Sequence, residues 1–240
     1  MKNKSEYIKF ILPLLIIFFW FIFTYTGKVP PTSLPSLSAV KDTFIEMLKS
    51  GQLSNDLSLS LRRVLAGFFI SSVLGISLGI FMGISSKAKE FFQLTLTAIR
   101  QIPMIAWIPL IILWAGIGEV SKIVVILFAA TFPIVVNTMG GVDSTSETYL
   151  EVAKMYGLSK KDTFFKVYLP SALPNIFTGL RLGLGASWMA VVASELIASS
   201  SGIGYRLNDA RSLMRSDVVI VCMIIIGLVG LLMDKLIVLI

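Results

Sequence analysis

The chain has 240 residues and a net charge of +7; 55% of its residues are hydrophobic and only 15% charged, against about 25% in an ordinary soluble domain. A mean hydropathy of +0.85 excludes a conventional soluble fold and places the chain among polytopic membrane proteins. There is no histidine, and the single cysteine, Cys222, lies in an apolar run, which removes the commonest metal ligand, the commonest general base and any disulfide framework. The positive charge is dispersed rather than clustered, so nucleic-acid binding is a poor reading, and basic loops beside anionic lipid headgroups account for it better.

In chain order, a basic lead, Met1–Lys9, precedes a first apolar run, Phe10–Tyr25, read as a retained span because no small-x-small cleavage site follows it. Gly27–Ser36 is a Pro-rich linker. Ser38–Lys49 reads as an amphipathic surface helix capped by Ser38, with Val40, Phe44, Met47 and Leu48 on one face and Gly51 at its end. Asn55–Ser85 is the second span; in it Gly67, Ser71, Gly75, Gly79 and Gly83 recur every four residues, a stripe along which another helix can approach closely. After a charged turn, Ser86–Glu90, the third span, Phe91–Gly116, is interrupted at Arg100-Gln101-Ile-Pro103 and at Pro109. Lys122–Gly141 is the fourth span and Asn175–Ile197 the fifth, with a second stripe at Gly179, Gly183 and Ser187. A polar loop, Ser199–Asp217, holds a short helix through Arg215, and Val218–Ile240 is the sixth span. Residues 1–54 form an N-terminal unit and 55–240 the core.

The polar interruption between the fourth and fifth spans, residues 144–175, has strong helix punctuation. Ser144 and Glu147 have the spacing of a capping box, Gly157 suits a left-handed helix end, and Ser159 with Asp162 opens a second short helix running to Leu169 before Pro170 and Pro174 interrupt it. Apolar Val152, Met155, Tyr156, Phe164 and Phe165 alternate with lysines, as expected of a docking knob beyond the lipid.

Glu151, Ala153, Gly157, Val167, Leu169 and Pro170 resemble, at unchanged spacing, the E-A-A-x3-G-x9-I-x-L-P loop of ABC importer permeases, with Val152 and Val167 as conservative departures. Ser60-Leu-Arg-Arg-Val-Leu-Ala-Gly-Phe68, Ile108-Pro-Leu-Ile-Ile-Leu-Trp-Ala-Gly-Ile-Gly118, Ser200-Ser-Gly-Ile-Gly-Tyr205 and Asp209-Ala-Arg211 look like the nitrate/sulfonate/taurine branch, nearest its aliphatic sulfonate type. The resemblance implies an all-α ABC transmembrane type-1 fold with six membrane helices and a cytoplasmic coupling hairpin, without catalytic or metal-binding residues. It implies a homodimer served by two ATPase subunits, which bind ATP and Mg, and by an extracytoplasmic solute-binding protein. The chain itself lacks a G-x4-G-K-[ST] phosphate loop.

Carried onto this chain, the resemblance assigns ATPase coupling to Glu151, Ala153, Tyr156, Gly157, Leu158, Leu169 and Pro170. Charged and polar residues at membrane depth make Arg100, Gln101 and Glu195 candidates for the translocation pathway, with snorkelling the plainer alternative for Arg100 and structural pairing for Glu195. Arg206, Asp209 and Arg211 are candidates for contact with the binding protein. Both termini share the hairpin's side, expected to be cytoplasmic, though the basic residues favour that side only slightly. Nitrate, taurine, bicarbonate or a pyrimidine-like or thiamine-precursor-like molecule are alternatives to a sulfonate as cargo. A secondary transporter would instead want midplane acids, for which Glu195 and Asp234 offer thin support.

Overall fold

In the computed structural model residues 3–238 are described, residues 3–9 by backbone only. Every regular element among them is helical.

The glycine stripe sets the core. A Cβ added at Gly67 of α3 (Gln52–Ile84) would stand 2.5 Å from Ile126 of α6 (Glu119–Asp143). At Gly75 it would meet Ile134 at 2.7 Å, at Gly79 Thr138 at 2.6 Å, and at Gly83 Val142 at 2.6 Å. The bare glycine faces let these backbones approach closely, the packing that stabilises helices where lipid removes the hydrophobic drive. Residue numbers rise together on both helices, so α3 and α6 run parallel. On the other flank of α6, Gly141 meets Asn175 and Ala172 while Gly183 meets Ile134, so α9 (Leu169–Ala198) runs antiparallel to it.

Two parallel neighbours require a returning segment between them. It is made of α4 (Ser86–Gln101) and α5 (Met104–Ala115), bent by 100° relative to each other. The elbow is Ile102, extended at φ −77° and ψ 121° because the following proline disfavours the helical region. Thus the third span bends at the first of its two expected interruptions; Pro109 sits inside α5 without breaking it, and residues 86–90 begin α4, capped by Ser85, in place of the expected connecting turn.

Among the described residues four helices are long and apolar enough to cross a membrane, five if the bent pair is one span; α1 (Asn3–Tyr25) contributes a shorter apolar stretch, Phe10–Tyr25. Trp20 of α1 donates its indole N–H to the Pro35 carbonyl at 2.9 Å. In α2 (Leu37–Lys49) the cap is Ser36, not Ser38: the Ala39 amide donates to its hydroxyl at 3.2 Å. Ser50 caps the far end, and Gly51 at φ 75° instead turns the chain into α3. Thr43 of α2 donates to Asp217 at 2.6 Å, tying this surface helix to the start of α11 (Ser216–Val238). The short α10 (Ile203–Ser212) ends three residues earlier than expected, where Met214 takes a left-handed φ of 57°.

Candidate functional site

Chemistry-bearing residues gather at three levels of the bundle. At the end where α3 and α6 finish and α9 begins lies the hairpin. Here α7 (Glu147–Met155) starts after Ser146, whose side chain makes no capping bond; Ser144 closes α6 instead, its hydroxyl donating to the Gly141 carbonyl, because α6 continues to Asp143. The anticipated capping box therefore does not form. Gly157 does take the left-handed conformation, φ 66°, and the Leu158 amide reaches back to the Ala153 carbonyl at 3.0 Å, closing the helix end. Ser159 caps α8 (Lys160–Thr163) as expected, accepting from the Asp162 amide at 3.1 Å.

The prolines do not end the second helix. Residues Phe164–Tyr168 form a π-helical turn in which the Leu169 amide bonds to the Phe164 carbonyl, and the chain continues through Pro170 and Pro174 into α9. The extra residue in that turn shifts the ladder where Pro170 has no amide to offer. The hairpin is therefore one short helix folded onto the extended foot of α9.

Ala153 is buried against that foot, while Val152, Met155, Tyr156 and Tyr149 stand exposed, Met155 at 86% and Tyr156 at 82%. A depression of about 610 Å³ opens between the limbs; Ala153, Tyr156, Leu158 and Pro170 line it together with Tyr149, Val152 and Val167. Glu151 and Gly157 lie on the exposed surface beside it, and Leu169 packs inward on the cluster of Val142, Ala172 and Ile176, fixing how the hairpin joins the bundle.

At the middle level, Arg100 and Gln101 end α4 at the elbow. Arg100 borders two recesses, of about 370 and 200 Å³, against the mid-length of α6. Glu195 is not with them. It lies 1% exposed at the opposite end, where α9 finishes, and does not border a recess with Arg100. Arg63 donates to it at 2.7 Å, the Ser60 hydroxyl at 2.8 Å and the Gly204 amide at 3.0 Å.

The same Arg63 forks onto Glu119 of α6 at 2.6 and 2.7 Å and donates to the Ser201 carbonyl at 3.0 Å, while Lys122 reaches Glu119 at 3.2 Å. Asp56 completes the cluster, accepting from the Gly202 amide at 3.2 Å and from Arg206 at 2.8 Å. The arrangement knits α3, α6, α9 and the loop before α10 through charge-assisted bonds. Of the candidate contacts at this end, Arg206 is thus tied down by Asp56 and lies 3.6 Å from Asp209, whereas Arg211 is exposed and donates to Asn208 at 2.8 Å. Arg181 forms a fork with Asp234 at 2.6 and 2.8 Å. The sequence reading missed Asp56, Ser60, Glu119 and Gly202 as partners; the one available signal was two opposite charges, Arg63 and Glu195, in separate apolar runs.

Residues 71–240 match the family described as binding-protein-dependent transport system inner membrane component. A Bacillus subtilis protein named as an aliphatic sulfonates transport permease is 38% identical over 225 residues, covering 94% of this chain and 82% of its own. The taurine transport system permease protein of Escherichia coli is 32% identical over 228 residues, covering 93% and 82%. The nitrate import permease protein of a Synechocystis strain is 39% identical over 176 residues, covering 73% and 64%. Among solved structures, an amino acid ABC transporter aligns with a TM-score of 0.66 at 17% identity over 82% of this chain and 96% of that one. The inward-facing MetNI methionine ABC transporter aligns at 0.58 and 18%, over 76% and 94%. At such identities these structures bear on the fold alone.

Proposed function

Because this chain belongs to the binding-protein-dependent transport system inner membrane components, the permease subunits of ABC importers, and to their nitrate/sulfonate/taurine branch, we propose that it is the gate of an ATP-driven importer for a small, sulfonate-like anion. Two copies of the chain pair across the pathway, two ATPase subunits bind ATP and Mg from the cytoplasm, and an external binding protein delivers the solute. Both termini and the hairpin face the cytoplasm, and alternating access follows from rocking of the helices when the ATPase closes. Nitrate, taurine, bicarbonate or a pyrimidine-like solute would use the same machinery.

The observation that carries this reading is the hairpin surface. Met155, Tyr156, Tyr149 and Val152 form an apolar knob beyond the spans, on a helix whose base is locked by Ala153 and Leu169. A rigid knob of this kind transmits a partner's movement, whereas a flexible loop would absorb it. The secondary-transporter reading gains nothing, since Glu195 and Asp234 are both already paired with arginines.

The test is copurification with an ATPase and ATP-dependent uptake in proteoliposomes, comparing wild type with Gly157→Val. A β-branched residue at φ 66° is strained by about 1–2 kcal/mol although nothing crowds its Cβ. The variant should insert normally, with uptake reduced about tenfold, since a 1.4 kcal/mol loss of productive docking has that effect. Uptake at the wild-type rate, or uptake needing no ATPase, would refute the reading.

A further inference from the structure

We propose that the elbow between α4 and α5 is a binding subsite, on this chain itself, for an anion carrying an apolar group, with Arg100 pairing the anionic head. The inference rests on the permease reading and adds to it that selection continues within the membrane, after the binding protein has released its cargo.

Three observations converge. The first is depth. Both recesses bordered by Arg100 also include Phe132 and Val136, which lie near the middle of the 25-residue α6. Arg100 is exposed on the single chain, and a cation level with the middle of a helix long and apolar enough to cross a bilayer is costly there unless it is used. The second is pairing. Arg63, Arg181, Arg206 and Arg215 each hold a carboxylate at 2.6–2.8 Å. Arg100 has no ion pair or hydrogen-bond partner among the described residues, and no acidic residue lines either recess. The third is the wall. Trp107, Phe128 and Phe132 form a chain of rings, with centroids 5.3 and 6.3 Å apart, along α5 and α6.

The larger recess, about 370 Å³, falls at the small end of the range of about 300–1,000 Å³ found for ligand sites. A bare nitrate would leave most of it empty. An alkanesulfonate or similar organic anion would place oxygens on the guanidinium fork and carbon against the rings, and so satisfy both halves. The same chemistry, an anionic head with an apolar tail, belongs to acidic lipids, so the experiment separates the two sources.

The complete transporter complex, without binding protein, is placed in phosphatidylcholine nanodiscs and titrated with 1-butanesulfonate, following tryptophan fluorescence. Wild type should bind saturably, more tightly than it binds sulfate, and should ignore 1-butanol. Arg100→Gln should weaken binding about tenfold, the scale of one lost charge-assisted pair, while Arg100→Lys retains most of it. Because Arg100 has no hydrogen bond or ion pair among the described residues, its replacement by glutamine should leave the fold intact. Arg62→Gln, at the far end of α3, should bind as wild type does. The proposal is overturned if Arg100→Gln binds butanesulfonate like wild type, if sulfate binds as well as butanesulfonate, or if phosphatidylglycerol in the nanodisc displaces the ligand and so claims the recess for lipid. ATP-driven uptake by the wild-type complex in proteoliposomes supplied with its binding protein reports on the permease reading separately: unaltered binding in Arg100→Gln with intact uptake sinks only the subsite, and absent uptake sinks only the permease reading.

Discussion

Arg63 and Glu195 show what a single residue decides here. Their side chains are 3% and 0% exposed, 132 residues apart in the chain and 2.7 Å apart in space. Removing one member of such a pair strands the other as a buried charge, at a cost of about 3–5 kcal/mol. Arg63→Leu should therefore lower the thermal midpoint of the detergent-solubilised protein sharply. Glu195→Gln should lower it less, because Arg63 keeps its fork on Glu119 and the amide can still meet Ser60 and Gly204. Equal midpoints for Arg63→Leu and wild type would show that the network does not hold the bundle's end together. Gly202 belongs to the same device: at φ 105°, a Cβ there would stand 2.4 Å from the Glu195 carboxyl, so the loop can close over the acid only without a side chain. Glu195 is legible in the sequence as an acid in an apolar run; its partners are not, since pairing across 132 residues leaves no local pattern.

Among the elements, the stripe on α3 is the feature best read from sequence, because its four-residue period is a helical property and needs no tertiary knowledge. What the stripe faces is another matter. Ile134 sits between Gly75 of α3 and Gly183 of α9, so one isoleucine keys into both flanking helices. Gly75→Val should cost about 1–3 kcal/mol through overpacking, with partial rescue by Ile134→Ala in the same chain. Thermal midpoints of the two single variants and the double variant test this; strictly additive losses would mean that the contact is not shared. The prolines teach the opposite lesson. Pro103 breaks its helix by 100°, yet Pro170 and Pro174 lie in a continuous one. A local rule sees the missing amide but not the π turn at Phe164–Tyr168 that accommodates it. Likewise α7 starts after Ser146 rather than after Ser144, and without a side-chain cap, because α6, held by α3 and α9, runs on to Asp143.

For the whole molecule, the parallel run of α3 beside α6 places the hairpin and the buried charge network at opposite ends of the bundle. Cysteine labelling reads this directly, since the native Cys222 is buried. A membrane-impermeant maleimide should label Lys41→Cys, exposed on α2, in intact cells, and Lys161→Cys on the hairpin only in inverted vesicles. The reverse pattern would turn the molecule over and remove the hairpin from the ATPase. By itself the sequence determined the class, the apolar runs, the glycine-faced packing surfaces and the left-handed turn at Gly157, all of which depend on residues close along one helix or at one bond. Only the tertiary structure decided which helices share the core, which of the two expected interruptions bends the broken span, that Arg63 holds Glu195 at one end of the bundle, and that Arg100 has no ion pair or hydrogen bond among the described residues. Those outcomes depend on which distant segments arrive at the same depth, and close packing, not local propensity, sets that.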